Sequence, residues 1–183
     1  MDLLFMVKDI SGILAFAFIG LTAGLTNWSG LFFLPDIPVI QQYYPAVVLG
    51  IYLYIAGRYV AHLKAINHFL SLIILIVASS IGWRTSIEIG HAMGGPVPFV
   101  NAGAMGALAV ALGWVIAWKI RSGILKLVVI VTLAGALGGG IFELVDTVFD
   151  DSEDIWVLIL FCEWQTILFA GIAFAHQRKQ NKT

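Results

Sequence analysis

The sequence predicts an all-α protein, a bundle of six transmembrane helices forming one domain over residues 1–183, with both termini in the cytoplasm. Three observations carry that expectation. Hydrophobic residues make up 60% of the chain and charged residues only 11%, with a mean hydropathy of +0.96; an ordinary soluble domain has about 25% charged residues. The apolar residues fall into six runs, each near the ~20 residues that cross a bilayer as a helix. The basic residues sort onto alternate connections, as the positive-inside rule requires.

The runs are Ile10–Trp28, Tyr44–Leu63, Asn67–Trp83, Pro98–Ile120, Ile124–Val145 and Ile155–Ala175, the third being the shortest. Lys8 is the only positive charge before the first run, and no small-x-small cleavage site leads into a polar stretch. That run therefore reads as a membrane helix that stays, not as a removed signal peptide. Lys8, Arg58, Lys64, Lys119, Arg121, Lys126, Arg178, Lys179 and Lys182 fall on one side of six crossings, and Arg84 alone falls on the other. Asp36, Glu88, Asp146, Asp150, Asp151, Glu153 and Asp154 lie opposite the basic set. An odd number of crossings would mix the two sets. The expected localisation is an integral, multi-pass protein of a membrane of the bacterial inner (plasma) type.

Between the first two runs, Ser29–Pro45 mixes aromatic residues with prolines. Such a stretch suits the membrane interface. It reads as an interfacial anchor or as a lid over an outward cavity. Small residues recur at four-residue spacing: Gly20 and Gly24, Ala78 and Gly82, Gly103 with Ala107 and Ala111, Gly135 and Gly139. Such stripes let helix backbones approach closely, so a compact bundle is expected.

The fifth run ends in acids. At four-residue spacing Gly135, Gly139 and Glu143 share a stripe, which Asp146 continues. On the third helix, prolonged past Trp83, Arg84, Glu88 and His91 share a face at spacings of four and three. The expectation is that the fifth helix meets the third, so that Glu88, His91, Glu143 and Asp146 form a metal site with Arg84 as a salt-bridge partner. Carboxylate and imidazole at helical spacing can hold a divalent metal, which is the one cofactor the sequence suggests. The alternative is a surface network in which Arg84 pairs with Glu143 or Glu88.

Glu163 is the costliest residue in the chain, an acid near the middle of the sixth run. Insertion scales charge roughly 2.5–3.5 kcal/mol for it there. Such a group is expected to face the bundle interior or a cavity. With Gln165 and Asn101 it would line an ion or substrate pathway; otherwise it is hydrogen-bonded structural glue. Cys162, the only cysteine, reads as a small buried hydrophobe.

Several classes are set aside. None of His62, His68 and His176 lies at mid-membrane as a bis-histidine haem requires. No Walker loop, dinucleotide fingerprint, Gly-x-Ser-x-Gly or His-Glu-x-x-His occurs. The basic residues are too scattered for a nucleic-acid surface. In length and helix count the chain resembles the substrate-binding subunits of energy-coupling-factor vitamin transporters; the likeness is one of architecture, and no residue role is carried over from it. The expected function is a small transporter, channel or transporter subunit for a cation or small polar solute. The alternatives are a metal-dependent membrane enzyme and an accessory subunit that joins an oligomer or a larger membrane complex through its glycine faces. Expected partners are the lipid bilayer and the solute or cation.

Overall fold

The computed structural model describes residues 3–33, 37–65, 67–92, 98–146 and 153–177. Among them are six α-helices: α1 (Leu3–Phe33), α2 (Pro38–Ile55), α3 (His68–Ala92), α4 (Pro98–Ala117), α5 (Ile124–Asp146) and α6 (Glu153–Gln177). Each contains a stretch long and apolar enough to cross a membrane.

The helices match the six apolar runs but are longer at several ends. α1 continues to Phe33 and α2 starts at Pro38, so most of Ser29–Pro45 is helical. The expected long connection is thereby corrected: it is confined to the stretch between Phe33 and Pro38. Pro38 suits a helix start because its missing N–H would have no intrahelical acceptor there. Pro45 lies inside α2, where it removes one intrahelical hydrogen bond. Next to that break, the carbonyl of Gln42 accepts a 2.8 Å bond from the indole Nε1 of Trp83. At its other end α2 widens into one π-helical turn, Ala56–Val60. Bonds from Ala61 N–H to Ala56 O and from Leu63 N–H to Gly57 O close that turn, both 2.9 Å. His62, at φ 50°, then reverses the chain. Asn67 caps α3, its Oδ1 accepting from the Phe69 N–H at 2.9 Å.

The helices form a closed ring. Each packs on its neighbours in sequence, and α1 closes on α6. Neighbours are antiparallel: Gly20 meets Gln165 while Gly24 meets Cys162, and Gly82 meets Gly106 while Gly113 meets Ala78. The ring therefore has two ends. One, called here the termini end, carries the start of α1, the α2–α3 and α4–α5 connections and the end of α6. Exposed Arg58, Lys64, Lys119, Arg121 and Lys126 lie there. Arg84 lies toward the far end.

Glycine sets the spacing of this ring. A Cβ at Gly24 would stand 2.5 Å from Cys162 Cα, and one at Gly139 would collide with the carbonyl of Phe99. The stripe on α5 thus packs on α4, and the stripe on α3, Ala78 and Gly82, also packs on α4. This corrects the expected meeting of the third and fifth helices, because α4 holds the main contacts of both.

Candidate functional site

A cavity of about 440 Å³ lies inside the ring. It is bordered by every helix except α1. Its origin is visible in side-chain size. Ala46 on α2, Ala102, Gly103 and Gly106 on α4, and Gly139 on α5 all face it. They leave unfilled the volume that larger residues occupy elsewhere in the core. Its walls are aromatic. Trp83 stacks on Phe161, with ring centroids 5.6 Å apart and planes at 26°. Phe99 meets Phe142 edge to face at 4.8 Å. Trp164 completes the wall, and glycines make room for it: a Cβ at Gly138 would lie 2.9 Å from its Cδ1 and one at Gly106 3.3 Å from its Cζ2.

The cavity has a definite floor. The lining residues nearest the termini end are Leu49 on α2, Ser79 on α3, Val110 on α4, Gly139 on α5 and Gln165 on α6. One helical turn further toward that end come Leu53, Leu75, Trp114 and Phe169, all fully buried. With Phe16 they form an apolar plug in which Trp114 meets Phe16 edge to face at 6.2 Å. The indole Nε1 of Trp114 is satisfied by His176 Nε2 at 2.7 Å. The cavity thus occupies the far half of the bundle and is closed toward the termini end.

Two polar side chains stand in the floor. Ser79 is 1% exposed and Gln165 2% exposed, and both line the cavity. The Ser79 hydroxyl and Gln165 Oε1 have no hydrogen-bond partner among the described residues. The buried indole Nε1 of Trp164 is also unpartnered. Buried polar atoms in native proteins are nearly always paired with protein or water, and these three unpartnered atoms all belong to residues that line one space. Ser86, higher on α3, is different: its hydroxyl oxygen lies 2.8 Å from Gly82 O and 2.7 Å from Ala102 O. No Asp, Glu, Lys or Arg lines the cavity among the described residues.

The residues singled out in the sequence fall in different places. Gln165 lines the floor. Glu163, two residues away and so about 200° round the helix, is not among the lining residues. Both its carboxyl oxygens are nevertheless shielded and without a hydrogen-bond partner among the described residues. Asn101 is exposed, in the first turn of α4. Arg84 Nε pairs with Glu88 Oε1 at 2.6 Å on the surface of α3, with both side chains about half exposed or more, at 49% and 61%. An exposed i, i+4 pair of this kind adds little to stability, because solvent screens it. Glu143 is half-buried on α5, with Oε2 shielded and without a hydrogen-bond partner among the described residues. The side chains of His91 and Asp146 lie outside the described residues. Among the described residues no three of His, Cys, Asp and Glu come together as metal ligands would.

Sequence reasoning missed Ser79 and Trp164. A small hydroxyl within Ala78-Ser79-Ser80 carries no signal of its own, since serine is common in membrane helices. The available signal was the loss of side-chain volume along α4, Ala102-Gly103-Ala104 followed by Gly106-Ala107, opposite the tryptophans of α3 and α6. It was read as close packing alone. Comparison with protein-family models, with curated proteins and with solved structures finds no match to this chain.

Proposed function

We propose that the protein is a membrane carrier, or the solute-binding subunit of one, for a small uncharged organic solute held in the cavity of the far half. The observation that carries this reading is the unfilled space of about 440 Å³, within the ~300–1,000 Å³ of ligand pockets, with orphaned polar atoms in its floor. An apolar wall with a few placed polar groups is the usual form of a small-molecule site. The reading includes a bacterial inner-membrane setting with both termini cytoplasmic, motivated by the basic residues of the termini end. The cavity then lies in the outer half and the plug faces the cytoplasm.

Charge selects among solutes. A bare cation in a space walled by Trp83, Phe99, Phe142 and Phe161 would lose its hydration and meet no carboxylate in return. The solute is therefore taken as neutral rather than ionic. The test is thermal stability of the purified protein in lipid nanodiscs, scanned against neutral aromatic compounds and against mono- and divalent cations. Stabilisation by neutral compounds alone supports the reading. Stabilisation by cations alone replaces it with the cation-conducting or metal-binding alternative.

A further inference from the structure

The arrangement of polarity within the cavity is more specific than its volume. Among the residues that line the cavity, the two most deeply buried polar side chains, Ser79 and Gln165, are both floor residues, and they come from different helices, α3 and α6. Toward the far end the same space is bounded by the stacked pair Trp83 and Phe161 and the edge-to-face pair Phe99 and Phe142. Apolar space therefore lies above a polar base, and among the described residues the only polar side chains in the walls, besides Trp83 with its bonded N–H, are Ser86, already bonded, and Trp164 with its N–H. Gln165 Oε1 accepts, the Ser79 hydroxyl donates and accepts, and Trp164 Nε1 donates. A group meeting all three must itself carry both a donor and an acceptor. A carboxylate, even with donors from the Gln165 amide, Ser79 and the indole, is buried here without a counter-charge, and an ammonium has neither a counter-charge nor an acceptor for the indole N–H.

We propose that the cavity takes an aromatic molecule head first, with an uncharged head that carries adjacent donor and acceptor atoms, such as an amide or lactam, seated between Ser79 and Gln165. This deepens the solute-binding reading and rests on it. The aromatic body lies between the Trp83–Phe161 and Phe99–Phe142 pairs, where offset and edge-on ring contacts add to apolar burial. The floor supplies orientation and selectivity, because a molecule without the head leaves the buried Ser79 and Gln165 groups unpaired.

The test uses three probes with one body: 2-naphthamide, 2-naphthoate and 2-methylnaphthalene. Binding to the full chain in nanodiscs is measured by calorimetry for the wild type, Ser79→Ala and Gln165→Leu. The wild type is expected to bind 2-naphthamide at least tenfold more tightly than either of the others. Gln165→Leu is expected to erase most of that preference and to bind 2-methylnaphthalene as well as or better than the wild type does, with Ser79→Ala intermediate. That gain also shows the variants to be folded. Equal affinity of the wild type for the amide and the hydrocarbon overturns the head-first proposal while leaving the solute-binding reading intact. So does a preference that survives in both variants. If no probe binds and no neutral compound stabilises the protein, the solute-binding reading fails, and this proposal with it.

Discussion

The indole Nε1 of Trp114 donates to Nε2 of His176 across 2.7 Å, tying the last turn of α4 to the last turn of α6. Trp114 is fully buried one turn beyond Val110, a residue of the cavity floor. The bond therefore holds in place the largest side chain of the plug. His176 accepts through Nε2, so the ring must be neutral with its proton on Nδ1. Replacing His176 with Ala leaves a buried indole N–H unpaired, at a cost of about 1–3 kcal/mol. Trp114→Phe in the His176→Ala background should recover part of that loss, because the orphaned donor goes with the indole. Unfolding of the single and double variants checks this, and additive losses would contradict the coupling.

Glu163, expected from the sequence to face the bundle interior or a cavity, stands apart from the residues that line the cavity. Its carboxyl is shielded and unpartnered, but it does not border the cavity. Glu163→Gln should leave 2-naphthamide affinity within about twofold of the wild type, the scale of an indirect effect well under the tenfold that 1.4 kcal/mol represents. Glu163→Leu should raise stability by about 1–3 kcal/mol, since it removes a buried polar group that has no partner. Loss of binding in Glu163→Gln would return the residue to the solute path.

Two adjacent glycines of α5 should respond oppositely to the same change. A Cβ at Gly139 would collide with the backbone carbonyl of Phe99, an atom that cannot move without shifting α4. A Cβ at Gly140 meets only Val100 Cγ2, at 3.4 Å. Gly139→Ala should therefore destabilise the protein by about 1–3 kcal/mol, the usual range for overpacking. Gly140→Ala should be neutral or stabilising by up to about 1 kcal/mol from helix propensity. Thermal unfolding of the two variants side by side decides it, and equal effects would contradict the α4–α5 packing.

Topology is checked independently of any solute. Reporter fusions at Lys126 and after Thr183 should sit in the cytoplasm, and one at Ser152 outside, as the distribution of Lys and Arg requires. A C-terminal reporter on the outer side would reverse the assignment of the cavity to the outer half.

Helix number and type were legible in the sequence because a bilayer-length apolar run is a one-dimensional signal. The six runs correspond one to one with α1–α6. Helix ends were less legible. Ser29-Gly30-Leu31-Phe32-Phe33 reads as interface by its aromatics yet continues α1, because helical hydrogen bonding does not stop where the apolar window does. Close contact at Gly20, Gly24, Gly103, Gly135 and Gly139 was legible, but which helix each stripe meets was not. In a six-membered ring the glycine stripes of α3 and α5 both find α4 rather than each other, and ring order is a property of all six helices together. The site was legible only in part. Gln165 was singled out and lines the cavity, whereas Glu163 was weighted by its insertion cost, and cost does not reveal the direction in which a side chain points. A cavity is an absence of volume shared by five helices, and no single segment announces it.

The central claim is that a neutral aromatic molecule sits in this cavity with its head on the floor. Its most direct test is a crystal structure of the protein soaked with 6-bromo-2-naphthamide, with the bromine located by anomalous scattering. The account requires one bromine peak inside the bundle among Trp83, Phe99 and Phe142, with the amide in hydrogen-bonding contact with Ser79 and Gln165. A bromine at the floor beside Val110, or peaks only on the lipid-facing surface, would contradict it.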